Sequence, residues 1–238
     1  MPETEPAYPV LRNAPIVESI VYFRFDSPVG EDAIRRFREQ ITADFPRDDT
    51  TTIGDAGELR YVCTSDDRKR FVRVGGNDFA YHKLAPYGDG NDFRRELRIL
   101  WEEFYNICPA VQVNQLALRA INRIEPLETV GSEIDHEDYF TTYPVIGGDS
   151  SNRLFAASMR LGMVHPDYDD IRAVVVWAAQ PPKDVFSKIA FVLDIEAARF
   201  TPPQNEESTL WDSMELLRAF RNRLFFESIT QKTKEMYL

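Results

Sequence analysis

The sequence predicts an α+β fold in which largely antiparallel sheets carry helices on one face and a long helix closes the chain. Three observations predict it. Stretches with two-residue alternation and stretches with helical spacing follow one another in the same order twice: strand, helix, three strands, helix. Several consecutive strands are separated only by short turn sequences, too short for a parallel crossover. The last apolar periodic segment, at about 25 residues and roughly 38 Å, is long enough to cross a whole domain. The 238 residues are expected to form a single pseudo-symmetric unit, with halves at approximately 11–108 and 109–238. The repeat is one of element order, since the halves share no convincing residue identity.

Residues 16–26 alternate as a strand, with Val17, Ser19, Val21, Phe23 and Phe25 on one face. "EDAIRRFREQITADF" places Ile34, Phe37, Ile41 and Phe45 at helical intervals, and Pro46 with "RDDTTTIGDAGE" reads as the loop that ends it. "LRYVCTS", "RFVRV" and "FAYHKLAPY" are strands joined by "SDDR" and "GGND", both rich in residues that tolerate tight turns. "NDFRRELRILWEEFYNI" is a helix with the stripe Phe93, Leu97, Leu100, Trp101 and Phe104, capped at Asn91 or Asp92.

The second half opens with the long strand "VQVNQLALRAINRIEPL" and a short helical turn at "HEDYF". Three strands follow, "RLFAASMRLGMV", "IRAVVVWAA" and "KIAFVLDIEAARF", joined by "HPDYDD" and "QPPKDVFS". "GGDSSN" at 147–152 is the softest joint. The final helix is expected to start at Thr209–Asp212 and to run through Leu210, Met214, Leu217, Phe220, Leu224 and Ile229.

Composition excludes several classes. Hydrophobic residues make up 43% and aromatic residues 12%, a globular balance. The longest apolar run, "AVVVWAA", is far too short to cross a bilayer, and the acidic, proline-broken start does not read as a targeting peptide. Two cysteines, Cys63 and Cys108, sit in apolar company and read as reduced thiols, which points to the cytoplasm. A net charge of −11 speaks against nucleic acid and anionic membrane as partners.

Motif chemistry is absent. The chain has no phosphate-cradling glycine loop, no C-x-x-C, no H-E-x-x-H and no G-x-S-x-G, so no cofactor, metal or catalytic residue is assigned. "DHED" and "HPDYDD" gather imidazole with carboxylates, but they read better as a helix start and a hairpin turn. A Cys63–His82 dyad is conceivable if the strands pair so as to bring the two together, yet a strand-interior cysteine is usually inert.

Four stretches in order, "LRNAPIVESIVYFRF", "LALRAINRIEPL", "FVLDIE" and "FFESIT", resemble a family of sporadically distributed prokaryotic proteins of unknown function. Its members open with an N-A-P-I-x-E motif and carry a mid-chain R-x-x-N-R-I strand. The resemblance spans essentially the whole chain, although Ala120 stands where that family's pattern has an aromatic residue. The resemblance implies no activity. It does draw attention to Glu18 in the first strand and to Arg119, Asn122 and Arg123 in the first strand of the second half.

A carboxylate among apolar strand residues needs a partner, because burying it alone costs several kcal/mol. Glu18 is therefore expected to pair with Arg119 or Arg123, with Asn122 filling the remaining valences; the alternative is a charged pocket that uses the same residues. On the last helix, Leu224, Phe225 and Phe226 are contiguous around the circumference and are expected to form a homodimer interface. The first functional reading is thus a non-enzymatic protein-binding or assembly module acting as a homodimer, with another protein as a further expected partner. The other is a ligand-binding or enzymatic domain with a polar pocket between the halves.

Overall fold

The computed structural model describes residues 8–53, 58–86, 90–126, 136–145, 157–180, 190–200 and 207–238. In chain order they form β1 (Ile16–Phe25), α1 (Glu31–Ile41), β2 (Arg47–Ile53), β3 (Glu58–Thr64), β4 (Arg70–Gly75), β5 (Asp78–Leu84), α2 (Gly90–Ile107) and β6 (Val113–Ile124). A 3-10 turn at His136–Asp138 follows, then β7 (Ala157–Val164), β8 (Ile171–Gln180), β9 (Ala190–Arg199), α3 (Glu207–Ser228) and α4 (Gln231–Glu235). The expected joint at 147–152, the connection at 181–187 and residues 202–206 before the last helix lie outside the described residues.

All nine strands join one antiparallel sheet in the order β2-β3-β4-β5-β1-β6-β9-β8-β7. Strands β1 and β6 lie side by side at its centre. The alternation that marked β1, β6, β8 and β9 now has a cause: one side chain in two faces the helices. Val21, Phe23 and Phe25 of β1, Phe79 and Tyr81 of β5, Leu116 and Leu118 of β6 and Ile195 of β9 are all buried on that side.

Helix α1 buries Ile34, Phe37 and Ile41, and carries Glu31 and Asp32 in its first turn and Arg38 in its last, matching the helix dipole at both ends. Helix α2 buries the stripe expected of it, Phe93, Leu97, Leu100, Trp101 and Phe104. An aromatic cluster locks both helices to the sheet. Trp101 stacks on Phe23 at 4.2 Å, while Phe104 meets Phe25, Phe37 and Phe79 at 5.6, 5.4 and 5.1 Å. In the second half α3 packs on β6, β8 and β9.

Three expectations about elements need correction. Helix α2 begins at Gly90, so Asn91 and Asp92 lie inside its first turn and do not cap it. The polar stretch after Pro46 is not wholly loop: Arg47–Ile53 pairs with β3 as the edge strand β2. An edge strand needs only its backbone ladder on one side and can carry polar side chains on both faces, so its alternation is invisible. The last helix begins by Glu207, before Thr209, and stops at Ser228. The helix is interrupted at Ile229, which bridges to Phe140, and Thr230 then caps the short α4 by accepting from Thr233 N–H.

The tight turns fall where expected. Gly76, between β4 and β5, has φ of +55°, and a Cβ there would collide with the Arg60 guanidinium. Arg60 is almost fully buried and donates to Asp78 at 3.1 Å. No helix among the described residues is long and apolar enough to cross a membrane.

Candidate binding groove and the polar belt on the sheet

The pairing registers give every sequence-predicted residue a definite place. Phe71, His82, Ile20, Arg119, Glu196, Val174 and Gly162 stand in one row across β4, β5, β1, β6, β9, β8 and β7. This row lies on the face opposite the helices. Glu18 sits in the next row, opposite Leu84 and Ile121, with Asp194 beyond Ile121.

Glu18 and Arg119 therefore share a face, but they do not pair. Glu18 Oε1 lies 2.8 Å from His82 Nδ1, while Arg119 makes a two-pronged contact with Asp194 at 2.8 and 2.5 Å. Asp194 wins Arg119 because both of its oxygens meet the flat guanidinium edge, which a single-point contact cannot match. Those hydrogen bonds, outweighing burial, raise the Arg119 pKa further above its ordinary value. Arg123 bonds to Glu125 at 2.7 Å and Gln180 at 2.6 Å, away from Glu18.

The imidazole of His82 is buried and stacks on Phe71 at 4.2 Å. Burial lowers its pKa, and the bond to Glu18 only partly offsets this, so the ring is neutral at pH 7. An anionic carboxylate can only accept, so Nδ1 carries the proton and donates to Glu18. Nε2 is buried without a hydrogen-bond partner. The conceivable Cys63–His82 dyad does not form: Cys63 pairs with Val72 and His82 with Phe71, which puts them on opposite faces. Burial also pushes the Cys63 thiol up, away from a reactive thiolate.

Asn122 points the other way, into the helix side. It is 2% exposed and donates to the Leu193 carbonyl at 2.9 Å. There it lines a groove of about 570 Å³ bounded by the N-terminal segment, α2 and α3. Leu118, Ala120, Ile195 and Met214 form apolar walls, and Arg12, Arg94, Arg218 and Arg221 line the same space. Helix α3 supplies Arg218, Arg221, Asn222 and Phe225 at one-turn and two-turn spacing, so one stripe of the helix faces the groove. Arg94 reaches from α2 to Glu215 on α3, and Arg218 bonds the other oxygen of Glu215 at 2.7 Å. Burial alone would raise the Glu215 pKa, but those two donors outweigh it and hold it below the usual range.

The residues expected at a dimer interface are largely internal. Leu224 and Phe226 are buried, and Phe226 stacks on Tyr8 with centroids 4.6 Å apart. The second apolar face of the helix is thus covered by the chain's own N-terminal segment, a surface that periodicity does not reveal. Phe225 is half-buried and lines the groove. Sequence reasoning missed Arg12, Arg94, Arg218 and Arg221. The stripe on α3 is visible as spacing, but its convergence with Arg94 and Arg12 depends on how the helices pack.

Among the described residues no group of three or more His, Cys, Asp or Glu side chains is arranged to hold a metal ion. The chain matches no protein-family model and no curated protein.

Proposed function

We propose that this protein is a non-catalytic binding module whose site is the groove between its halves, and that its ligand is an anion with an apolar body. One observation carries the reading: four arginines line a single apolar-walled groove in a chain of net charge −11. Cations converging on one groove of an acidic chain favour an anionic ligand there, and Glu215 already holds Arg94 and Arg218 in place at its wall. The volume falls within the range typical of small-molecule sites. Pseudo-symmetric halves form part of the proposal. It is supported by the strand order, in which β5, β4 and β3 step outward from β1 as β9, β8 and β7 step outward from β6. The groove then lies at the seam, as the ligand-binding reading of the sequence requires. The homodimer reading through residues 224–226 has less support, because Leu224 and Phe226 are buried within the chain itself.

Calorimetric titration with dodecanoate and dodecanol tests this proposal, since the two share a tail and differ in charge. Dodecanoate is expected to bind one to one, about tenfold more tightly than the alcohol, in line with a charge-assisted hydrogen bond. Arg12→Glu, at the exposed rim, should remove that preference. Equal binding of both probes, binding of neither, or indifference to Arg12→Glu would overturn the proposal.

A further inference from the structure

The nine-stranded sheet ends in two unlike edges. Edge strand β2 carries Arg47, Asp48 and Asp49, charges that discourage pairing with another chain. Edge strand β7, "ASMRLGMV", carries a single charge, Arg160, and among the described residues it pairs only with β8. Its side chains alternate half-buried and exposed along its whole length. Met159, Leu161 and Met163 lie on the helix side, opposite buried Trp177, Val175 and Ala173, yet remain half-exposed because the sheet stops there.

The backbone pattern shows which groups are free to pair. His165 N–H donates to the Ile171 carbonyl at 2.9 Å, continuing the β7–β8 ladder into its turn. In an antiparallel ladder hydrogen-bonded pairs alternate with non-hydrogen-bonded ones, so odd-numbered residues of β7 bond to β8. Ser158, Arg160, Gly162 and Val164 therefore direct N–H and C=O outward.

We infer that β7 is a two-fold interface at which a second copy of this chain continues the sheet. Antiparallel self-pairing centred on Leu161 sets Arg160 against Gly162 and Ser158 against Val164, so every outward backbone group meets a complementary one. It also sets Leu161 against Leu161 and Met159 against Met163, burying the apolar row on the helix side. The charge pattern favours this register. Centring the pair on Arg160 would oppose like charges directly, whereas centring on Leu161 puts each Arg160 across from a glycine. A Cβ built on Gly162 meets nothing within 4 Å, so that position has room for the partner's arginine stem. A two-fold contact of this kind closes on itself and leaves the charged β2 edges at the two ends.

Sedimentation of the full chain at micromolar concentration, beside Gly162→Pro and Leu161→Cys, tests the inference. Proline at an outward-facing edge position removes a donor to the partner while leaving the β8 ladder intact. The expected result is a wild-type dimer, a Gly162→Pro monomer that keeps the native circular-dichroism spectrum, and a Leu161→Cys dimer linked by a disulfide under oxidation. The cysteine test reads the register, because facing residues of a non-hydrogen-bonded pair lie about 4.5 Å apart at Cα. A wild-type monomer, a Gly162→Pro variant that dimerises as strongly as wild type, or failure of Leu161→Cys to cross-link would each overturn it. Should Gly162→Pro lose that spectrum, Arg160→Pro, at another outward position, decides the same question.

Discussion

Replacing Glu18 with alanine removes the carboxylate that accepts from His82 Nδ1–H, and the structure sets the size of the effect. Had Glu18 neutralised a buried arginine, its loss would cost about 3–5 kcal/mol by leaving an uncompensated charge. Its partner is instead a neutral imidazole, 7% exposed, whose other nitrogen already lacks a hydrogen bond. The cost is that of one buried donor left unsatisfied, about 1–3 kcal/mol. Urea denaturation at about pH 8, where the ring is neutral folded and unfolded, measures it, provided the denaturant slopes agree. The double variant Glu18→Ala/His82→Phe supplies the control. Phenylalanine keeps the stack on Phe71 and has no nitrogen to satisfy, so the double variant should be more stable than Glu18→Ala alone. Coincident curves for wild type and Glu18→Ala would refute the reasoning, as would a double variant no more stable than the single one.

Two further outcomes follow from the same geometry. Because burial lowers the His82 pKa below its unfolded value of 6.5, the unfolded chain binds the proton first as pH falls. Stability should therefore decline as pH drops through and below about 6.5, and His82→Phe should flatten that slope in urea titrations between about pH 5 and 7. Phe104→Ala should cost about 3–5 kcal/mol and lower the melting temperature by several degrees, since the ring is fully buried among Phe25, Phe37 and Phe79; a loss below 1 kcal/mol would show that the aromatic cluster does not anchor α1 and α2.

The sequence by itself determined the elements whose side chains report their own burial. The alternation of Val21, Phe23 and Phe25 and the helical spacing of Phe93, Leu97, Leu100, Trp101 and Phe104 arise because one face of each element meets the core. The turn at Gly75–Gly76 was legible because its backbone angles suit glycine. The edge strand β2 was not, since a strand paired on one side can be polar throughout.

What only the tertiary structure decided is who faces whom. Glu18 needed a partner, and the R-x-x-N-R-I stretch offered Arg119 and Arg123. The register placed His82 beside it and gave Arg119 to Asp194, a choice of neighbours that depends on which strands are adjacent. The apolar excess of the last helix was correctly read from its residues, but the segment that covers it, with Tyr8 on Phe226, lies more than two hundred residues away in the chain. The arginines of the groove were scattered across three segments, and only packing of α3 beside α2 and the N-terminal segment gathers them. Local pattern records whether a side chain is buried; it carries no record of the distant residue it is buried against, because that pairing is set by long-range packing.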